Sequence, residues 1–336
     1  MKTAVLLVTW NGQAYVKPCL DSILGQALLP DSLWVVDNAS ADNTVAELEA
    51  YDEPLMARGC RLTITRNSSN LGFTKAANQG LRQIMAALPQ PELAILLNQD
   101  TVLNSDWLQA IQDMFHRYPN AGAVGCRIFY PDGLSLQHAG GFLERPRMTG
   151  RHYGHHQADE PAYHIEREVD FVTGAAMAVR IQALEQTGLF NEIFSPGYYE
   201  DVDLCVRLKA HGWSVMYCPD AALRHVESAS FASWDERWML SQRNRLLFAA
   251  QWMSDSSFRW EFKEAELAFL RHEAQPDDLR ALALAYGRAL LMLGPALKRP
   301  FDGAPLDGET LSEAIAIIAT LRQACVGLRA SASHYR

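Results

Sequence analysis

Short apolar runs that alternate with segments of helical spacing constrain this chain more than any other feature of its sequence. Four such runs occupy residues 5–8, 33–36, 62–64 and 93–97. Between the first two runs, Leu20, Ile23 and Leu24 repeat at the spacing of one helix face. Strands that alternate with helices form a mostly parallel sheet of the α/β class. The sequence therefore predicts ligand binding beyond the carboxyl ends of these strands.

Two further regions follow this alternating part. From residue 129 to about residue 167 the pattern gives way to Gly, Pro, His and charged residues, which is typical of an inserted substrate loop. A buried strand is predicted within residues 170–180, and helical spacing dominates after residue 233. We expect an α/β domain over residues 1–230 and a C-terminal helical region over residues 231–336.

Composition narrows the range of partners. The 336 residues are 49% hydrophobic, which is enough to bury a large core, and the formal net charge is -9. Polyanions are bound mainly through excess Lys and Arg, so nucleic acid is not an expected partner. A nucleotide-sugar donor remains compatible with this charge if a divalent cation supplies local positive charge.

Cysteine usage and hydropathy predict the compartment. The six cysteines include no C-x-x-C pair, so we interpret them as reduced core residues of a cytoplasmic protein. No stretch is expected to reach the ~18 apolar residues that span a bilayer. The nearest candidate, residues 281–297, contains Arg288 and the Gly294-Pro295 break.

Polar residues follow the predicted strands. Asp37 could accept hydrogen bonds from a nucleotide base or ribose, with Thr9 beside it, although turn and cap chemistry explains both residues equally well. Asn98 and Asp100 are two residues apart on an extended segment, so both could face one Mg²⁺ or Mn²⁺. The alternative for this pair is a helix cap before Trp107.

The segment 195–203 is the richest in chemistry-bearing side chains. Glu200, Asp201 and Asp203 suit a helix N-terminus, which accounts for at least one of them. Tyr198 and Tyr199 precede them directly. An exposed tyrosine platform could stack on a sugar while one carboxylate acts as general base.

Histidines offer two further hypotheses. His225 could provide a nitrogen ligand to the metal, although a lone His is more often structural. A second group comprises His152, His155, His156 and His164. This group lies in a polar loop without cysteine, which favours a mobile acceptor-side loop over a zinc site.

Six motifs, in this order, resemble glycosyltransferase family 2, of GT-A fold. They are Val8-Thr9-Trp10-Asn11-Gly12, Val36-Asp37-Asn38-Ala39-Ser40, Asn70-Leu71-Gly72-Phe73 with Ala77-Asn78, Leu97-Asn98-Gln99-Asp100, Gly174-Ala175-Ala176 and Glu200-Asp201-Val202-Asp203-Leu204. The resemblance covers residues 1 to about 250, includes Gln242-Arg243-Asn244-Arg245, and is greatest to bacterial rhamnosyltransferases of surface polysaccharide assembly. The specificity lies in the order of the motifs, because each motif alone is weak.

The resemblance implies a metal-dependent, inverting glycosyltransferase. Its donor would be a nucleotide-diphosphate sugar, with dTDP-rhamnose ahead of UDP-hexoses, and its acceptor a glycan or a lipid-linked glycan. The domain over residues 1–230 would divide into a nucleotide-sugar half, 1–125, and an acceptor half, 126–230. Mg²⁺ or Mn²⁺ would be the cofactor, and the C-terminal helices could form a homodimer or contact the inner face of the cell membrane.

The same resemblance assigns site residues. Donor-binding positions would be Thr9, Asn11, Asp37, Asn38, Asn70, Gly72, Asn78, Asn98 and Gln99. Asp100 and His225 would bind the metal, Asp201 would be the base with Glu200 beside it, and Gly174, Tyr198 and Tyr199 would face the acceptor. Asn98 departs from the family pattern, because the first aspartate of the metal motif is replaced by a neutral and weaker ligand.

Two other function classes share parts of this pattern. A catalytically silent nucleotide-sugar-binding or scaffold protein is compatible with Asn98 and the long helical tail, but retention of Glu200, Asp201 and His225 argues against it. A dinucleotide-binding enzyme or nucleotidyltransferase would share the alternating architecture. The sequence contains neither G-x-G-x-x-G nor G-x-x-x-x-G-K.

Overall fold

A computed structural model of the chain describes residues 1–226, 234–254, 256–294 and 306–333. The chain divides into two compact units. The first comprises Met1–Phe142, Arg151–Pro196 and Glu200–Ser230, and the second comprises Leu143–Gly150, Gly197–Tyr199 and Phe231–Arg336. The domain boundary expected after residue 230 lies outside the described residues. Two short segments from within residues 1–230 group with the C-terminal helices.

Twelve strands occur in the described residues. They are β1 (Thr3–Thr9), β2 (Ser32–Asp37), β3 (Arg61–Arg66), β4 (Leu93–Asn98), β5 (Thr101–Leu103), β6 (Ala121–Phe129), β7 (Leu136–His138), β8 (Gly141–Glu144), β9 (Thr149–His152), β10 (Arg167–Glu168), β11 (Ala176–Arg180) and β12 (Ser214–His225). Ten of them form one sheet, with the order β10-β12-β6-β11-β4-β1-β2-β3, while β5 pairs with β12 and β7 pairs with β6. Strands β8 and β9 form a separate two-stranded sheet.

Eleven α-helices occur in the same residues. They are α1 (Gln13–Leu24), α2 (Thr44–Glu49), α3 (Asp52–Ala57), α4 (Phe73–Met85), α5 (Trp107–Arg117), α6 (Ile181–Thr187), α7 (Glu200–Ala210), α8 (Trp234–Trp252), α9 (Lys263–His272), α10 (Pro276–Met292) and α11 (Gly308–Ser333). Short 3-10 helices cover Pro161–Tyr163 and Glu192–Phe194, and a π-helix covers Ser257–Phe262. In α4, the buried residues Ala77, Leu81 and Ile84 recur at helical spacing and form the face toward the core.

The four apolar runs of the sequence form β1 to β4. These strands are parallel, with β1 between β2 and β4. Chain order reverses direction across β1, which is where α/β sheets place their ligands. The other half of the sheet is mixed, because β11 runs antiparallel to both β4 and β6. The strand predicted within residues 170–180 begins only at Ala176, and the preceding residues form a loop.

The six cysteines are free and buried in the structure. Cys19, Cys60 and Cys126 lie in the core of the first unit among aliphatic and aromatic side chains. Burial raises the pKa of Cys126 to about 12 and that of Cys60 to about 11. The prediction that these cysteines are unpaired residues of the core is therefore confirmed.

The second unit contains α8 to α11 and a buried charged network. The Glu266 carboxylate accepts hydrogen bonds from Arg245, Arg147 and the hydroxyl of Tyr286. Burial alone would raise the pKa of Glu266, but the charges of Arg245 and Arg147 outweigh burial and lower that pKa to about 2. The network links α8, α9 and α10 to the segment 143–150.

Within the described residues, one helix is long and apolar enough to cross a membrane. It covers Gly308–Ala330, which is 23 residues of α11. This helix qualifies by length and mean composition, and its apolar residues are interrupted by four charged ones, Glu309, Glu313, Arg322 and Arg329. Ile318 and Leu321 on this helix are fully buried within the second unit.

Candidate functional site

The carboxyl ends of β1 and β2 are joined through one buried carboxylate. Asp37 Oδ1 accepts a hydrogen bond from Thr9 Oγ1 at 3.1 Å, and Asp37 Oδ2 accepts one from Ser40 N at 3.0 Å. The Ser40 hydroxyl also donates to Asp37. The structure thus brings Thr9 and Asp37 together as the sequence predicted, and both orient the loop after β2.

Asn11 ties the loop after β1 to the loop after β2. Its backbone N–H donates to Ser40 Oγ at 2.9 Å, and its Oδ1 accepts from Ala41 N at 2.8 Å. Its φ of 45° places it in the left-handed region, where asparagine is tolerated better than most residues. The two loops therefore form one hydrogen-bonded edge at the point where the sheet reverses direction.

Asn38 connects this edge to the segment before α4. Its Nδ2 donates to Asn70 Oδ1 at 2.8 Å, and its Oδ1 accepts from Leu71 N at 2.9 Å. Gly72 follows with a φ of 80°. A Cβ at this glycine would lie 2.7 Å from Cβ of Pro196, so only glycine fits there. Asn38, Asn70 and Gly72 are brought together as predicted.

Two predicted donor-binding side chains have structural partners. Asn78 is 1% exposed, and its amide exchanges hydrogen bonds with the backbone of Phe190 at 2.9 and 3.0 Å. Gln99 exchanges similar bonds with the backbone of Trp10 at 3.1 and 3.2 Å. Asn78 and Gln99 thus hold neighbouring loops through their amide groups, and their contact with the donor stays a prediction.

The predicted metal ligands lie together at the ends of β4 and β12. His225 Nε2 is 3.2 Å from Asp100 Oδ1 and 3.2 Å from Asn98 Nδ2. The other ring nitrogen, Nδ1, lies 2.8 Å from Oε1 of Gln137. A carboxamide oxygen only accepts, so Nδ1 donates to Gln137 and Nε2 is the ring nitrogen that faces Asp100.

This donor set fits a hard divalent cation. A ring nitrogen of His225 and a carboxylate oxygen of Asp100 face each other in a buried setting, and imidazole nitrogen and carboxylate oxygen are both ligands of divalent cations. Among the described residues, no group of three or more His, Cys, Asp or Glu side chains could hold a metal. The protein would therefore supply two ligands and leave positions for phosphate oxygens and water, as Mg²⁺ sites do.

Asp201 lies at the start of α7, facing the loop before β11. Its Oδ2 accepts from Gly174 N at 2.9 Å, and its Oδ1 accepts from Val202 N at 2.8 Å. Burial raises the pKa of Asp201, while these backbone N–H bonds oppose that rise. The Thr173 side chain also hydrogen-bonds to this carboxylate, so Asp201 is firmly oriented, and a carboxylate with about four acceptor sites can still take a proton.

The two neighbouring carboxylic acids have different environments. Glu200 is buried, and burial followed by the charges of Asp201 and Asp203 holds its pKa well above the usual range. Its Oε2 has no hydrogen-bond partner among the described residues. Asp203 forms a buried ion pair with Arg207 at 2.8 Å. Burial therefore favours the neutral form of Glu200, Asp203 is held in its ion pair, and Asp201 is the carboxylate of the three that backbone N–H groups orient.

The two tyrosines belong to the second unit. Tyr199 is 7% exposed, and its hydroxyl donates to Met148 O and accepts from Gly150 N, at 2.9 and 3.0 Å. The prediction of an exposed platform is wrong for Tyr199, because its ring is buried and its hydroxyl is used internally. Tyr198 is half-buried, and its acceptor role stays a prediction.

The structure also shows functional residues that the sequence reading missed. Gln137 fixes the tautomer of His225, yet it lies in the irregular region after residue 129, where spacing carries no signal. Asn244 is fully buried and its Nδ2 donates to the carbonyl oxygens of Gly197 and Tyr198, at 3.0 and 2.8 Å. The motif at residues 242–245 marked this position without indicating its partners.

The histidine-rich loop does not converge on one point. His155 and His156 are exposed, and both contact the hydroxyl of Tyr130. His152 lies against His138 instead, and burial followed by the charge of His155 lowers the pKa of His152 to about 4. His164 pairs with Asp159. His152, His155 and His156 thus adjoin in one chain of ring contacts, with centroids 5.9 and 4.1 Å apart, while His164 has a separate partner.

Comparison with known protein families gives one match that spans all six motifs. Residues 2–245 match the family described as Glycosyltransferase like family 2, and this range holds the whole site of the first unit. The chain belongs to this glycosyltransferase family. The match ends at Arg245, inside α8, so the family extends into the second unit.

Relatives within the family share about a quarter of their residues with this glycosyltransferase. An N-acetylglucosaminyl-diphospho-decaprenol L-rhamnosyltransferase of Mycobacterium tuberculosis is 28% identical over 247 residues, covering 67% of this chain and 76% of that protein. An uncharacterized protein of Sinorhizobium fredii is 26% identical over 237 residues. That match covers 68% of this chain and only 24% of the Sinorhizobium protein.

A solved structure confirms the predicted GT-A fold of the glycosyltransferase. The crystal structure of GalNAc-T7 with UDP, GalNAc and Mn²⁺ superposes with a TM-score of 0.58 and 13% sequence identity. The superposition covers 79% of this chain and 51% of that one. At this identity the likeness establishes the fold, and the chemistry has to be argued from the residues of this chain.

Proposed function

We propose that this family 2 glycosyltransferase is an inverting enzyme that transfers rhamnose from dTDP-rhamnose to a hydroxyl of a glycan or lipid-linked acceptor. UDP-hexoses are the next most favoured donors after dTDP-rhamnose. The rhamnosyltransferase relative from Mycobacterium tuberculosis supports this sugar and a lipid-linked acceptor. In this proposal residues 1–125 bind the nucleotide sugar, residues 126–230 bind the acceptor, and the enzyme works at the cytoplasmic side of the cell membrane.

The observation that carries the proposal is the orientation of Asp201. Its Oδ2 is fixed by Gly174 N at 2.9 Å, while burial raises the pKa of the adjacent Glu200 and so favours its neutral form. A single ionised carboxylate, fixed by backbone donors and able to accept one more hydrogen bond, is what a base in a single displacement requires. A retaining mechanism with a covalent glycosyl-enzyme would use a carboxylate as nucleophile instead.

The step can be written with all atoms balanced. Asp201 accepts the proton of the acceptor hydroxyl as that oxygen forms a bond to the anomeric carbon of the sugar. The bond from that carbon to the diphosphate oxygen breaks on the opposite face, so the configuration inverts and the nucleotide diphosphate leaves with the electron pair. Proton removal by a positioned base contributes about 10²–10⁴-fold to such a rate.

The other residues of the site bind and orient the donor. Asp37 with Thr9, and Asn38 with Asn70, hold the nucleotide-side loops in fixed positions. Asp100 and His225 would hold Mg²⁺ or Mn²⁺, which when bound offsets negative charge on the diphosphate. The Mn²⁺ in the GalNAc-T7 structure supports a divalent cation in this fold.

The proposal is tested with purified protein and a panel of nucleotide sugars. dTDP-rhamnose and UDP-hexoses are offered with Mg²⁺, with Mn²⁺ and with a chelator, together with a synthetic lipid-diphosphate N-acetylglucosamine acceptor. We expect transfer from dTDP-rhamnose that the chelator abolishes, and NMR should show an inverted anomeric configuration in the product. A product with retained configuration would refute the mechanism, and donor binding without transfer or hydrolysis would favour a silent binding protein.

A further inference from the structure

An arginine and leucine face lies on the surface of α10 and α11 in the second unit. On α10 it consists of Arg280, Leu284, Arg288 and Leu291, and on α11 of Ile315, Arg322, Val326 and Arg329. All eight side chains are exposed, with Leu291 at 88% and Leu284 at 52%. At about 100° per residue, the four residues of α10 fall within about 80° of arc and form one stripe.

The two stripes adjoin. Nε of Arg322 lies 3.4 Å from the position that a Cβ would take at Gly287, so the arginine of α11 lies against α10 between Leu284 and Leu291. The face of α11 beside this stripe is buried, with Ile318 and Leu321 fully buried, and Cys325 Sγ donates to the backbone oxygen of Leu279 at 3.2 Å. The exposed residues therefore form one continuous surface on a packed pair of helices.

The charge on this surface is predominantly positive. The described residues 279–294 and 314–333 hold four basic residues and no acidic residue, and the nearest acid along the stripe, the exposed Asp277, lies one turn before Arg280. Arg280, Arg288 and Arg322 have no ion pair with any described residue, in a chain whose net charge is -9. Burial and the charge of Arg288 together lower the pKa of Arg243 to about 10, as expected where positive charge is uncompensated.

We propose that this arginine and leucine face docks the protein on an anionic lipid surface. Arginines attract the headgroups of acidic phospholipids, and leucine and valine between them insert at the boundary of headgroups and acyl chains. Because α11 is packed along α10 by its apolar face, the helix pair lies on the bilayer and α11 does not cross it. This inference does not depend on the proposed rhamnosyl transfer.

The test measures partitioning of the full chain onto vesicles, without donor or acceptor. Phosphatidylglycerol–phosphatidylcholine vesicles are compared with pure phosphatidylcholine vesicles at low and high salt. We expect binding only to the anionic vesicles, lost at high salt, and about 30-fold weaker in R280Q/R288Q, since each basic residue contributes about fivefold. Leu284→Gln with Leu291→Gln should weaken binding as well.

A matched control variant is R61Q/L88Q, which changes an exposed arginine and a leucine that is 95% exposed, both in the first unit. It should bind vesicles as the unchanged protein does. The proposal is overturned by absence of vesicle binding, by equal binding to both vesicle types, or by binding that survives high salt and alkaline carbonate, which would mean that α11 inserts. It is also overturned if R280Q/R288Q turns a dimer into a monomer with no effect on vesicles. Because the assay contains no sugar nucleotide, its result is separate from the test of transfer.

Discussion

His225 Nε2 lies 3.2 Å from Asp100 Oδ1, and the opposite ring nitrogen is held 2.8 Å from Gln137 Oε1. The first distance joins two strands that are far apart in sequence, β12 and the end of β4. The second fixes the orientation of the imidazole ring, with Nδ1 donating to Gln137 and Nε2 facing the carboxylate. Gln137 thus determines how His225 can act as a metal ligand.

Removing the Gln137 side-chain oxygen should weaken metal binding without removing a ligand. In Gln137→Leu the tautomer of His225 is no longer fixed, and such outer partners are worth about 10–100-fold in metal affinity. The measurement is the Mn²⁺ concentration that half-saturates dTDP-rhamnose binding, by calorimetry. Gln90→Leu, in an exposed loop, is the control. An unchanged Mn²⁺ dependence in Gln137→Leu would count against the metal assignment.

Asp201→Asn should remove the catalytic base while leaving the geometry of the site and donor binding intact. Asparagine can still accept the hydrogen bond from Gly174 N through its carboxamide oxygen, but it cannot take a proton at neutral pH. We expect transfer to fall about 10²–10⁴-fold while the Kd for the donor stays within experimental error. The exposed Asp220→Asn serves as control. Turnover near the unchanged rate would exclude Asp201 as the base.

The pKa of Glu200 predicts a stability effect that depends on pH. Its folded-state pKa lies well above the ordinary 4.5, so its stabilising contribution is complete below pH 4.5 and is lost as pH rises through the folded pKa. Glu200→Gln keeps a neutral group at this position. We expect the variant to gain free energy of unfolding over the unchanged protein as pH rises, and no gain below pH 4.5, in urea unfolding series. A pH-independent difference would contradict this.

Gly72→Ala should damage donor binding through the backbone. The new Cβ would lie 2.7 Å from Pro196 Cβ, at a φ of 80°. Gly59→Ala is a matched control, because its φ of 82° imposes similar strain while no atom lies within 4 Å of the new Cβ. We expect weaker donor binding only in Gly72→Ala, measured by calorimetry. Equal donor affinities in the two variants would mean that the contact with Pro196 does not shape the donor loop.

Glu266→Gln should be strongly destabilising. Removing this carboxylate leaves Arg245 charged and buried, which costs about 3–5 kcal/mol in comparable pairs. Glu313→Gln breaks the more exposed pair with Arg259 and should cost below about 1 kcal/mol. For the unchanged protein, the contribution of Glu266 is present above pH 4.5 and is lost as pH falls toward about 2. Denaturant unfolding of the two variants measures the contrast.

Local sequence pattern predicted much of the first unit. Strands β1, β2 and β4 carry apolar runs because parallel strands inside a sheet are buried on both faces, whereas the edge strand β3 alternates Leu62 and Ile64 with polar residues. The strand at β11 begins later than predicted, since its leading residues form the loop that carries Gly174 to Asp201. Apolar character alone does not distinguish a buried loop from a buried strand.

The residues of the functional site were likewise predicted only in part from the sequence. Asp37, Asp100 and Asp201 could be selected because carboxylates at strand ends and helix N-termini recur in an ordered set of motifs. Asn78 and Gln99 belong to the same motifs, yet their amides bind backbone groups of Phe190 and Trp10. An amide side chain serves a ligand or a loop equally well, so its partner depends on which segment folds against it.

The sequence by itself determined the α/β class, the family motifs and the positions of the acidic residues, because periodicity and residue chemistry are local properties. Only the tertiary structure decided that Glu200 is neutral beside Asp201, that Gln137 orients His225, and that Tyr199 is buried. Burial, charge and hydrogen bonding in these cases come from residues that are distant along the chain. Their effects on pKa and orientation therefore exist only once the chain has folded.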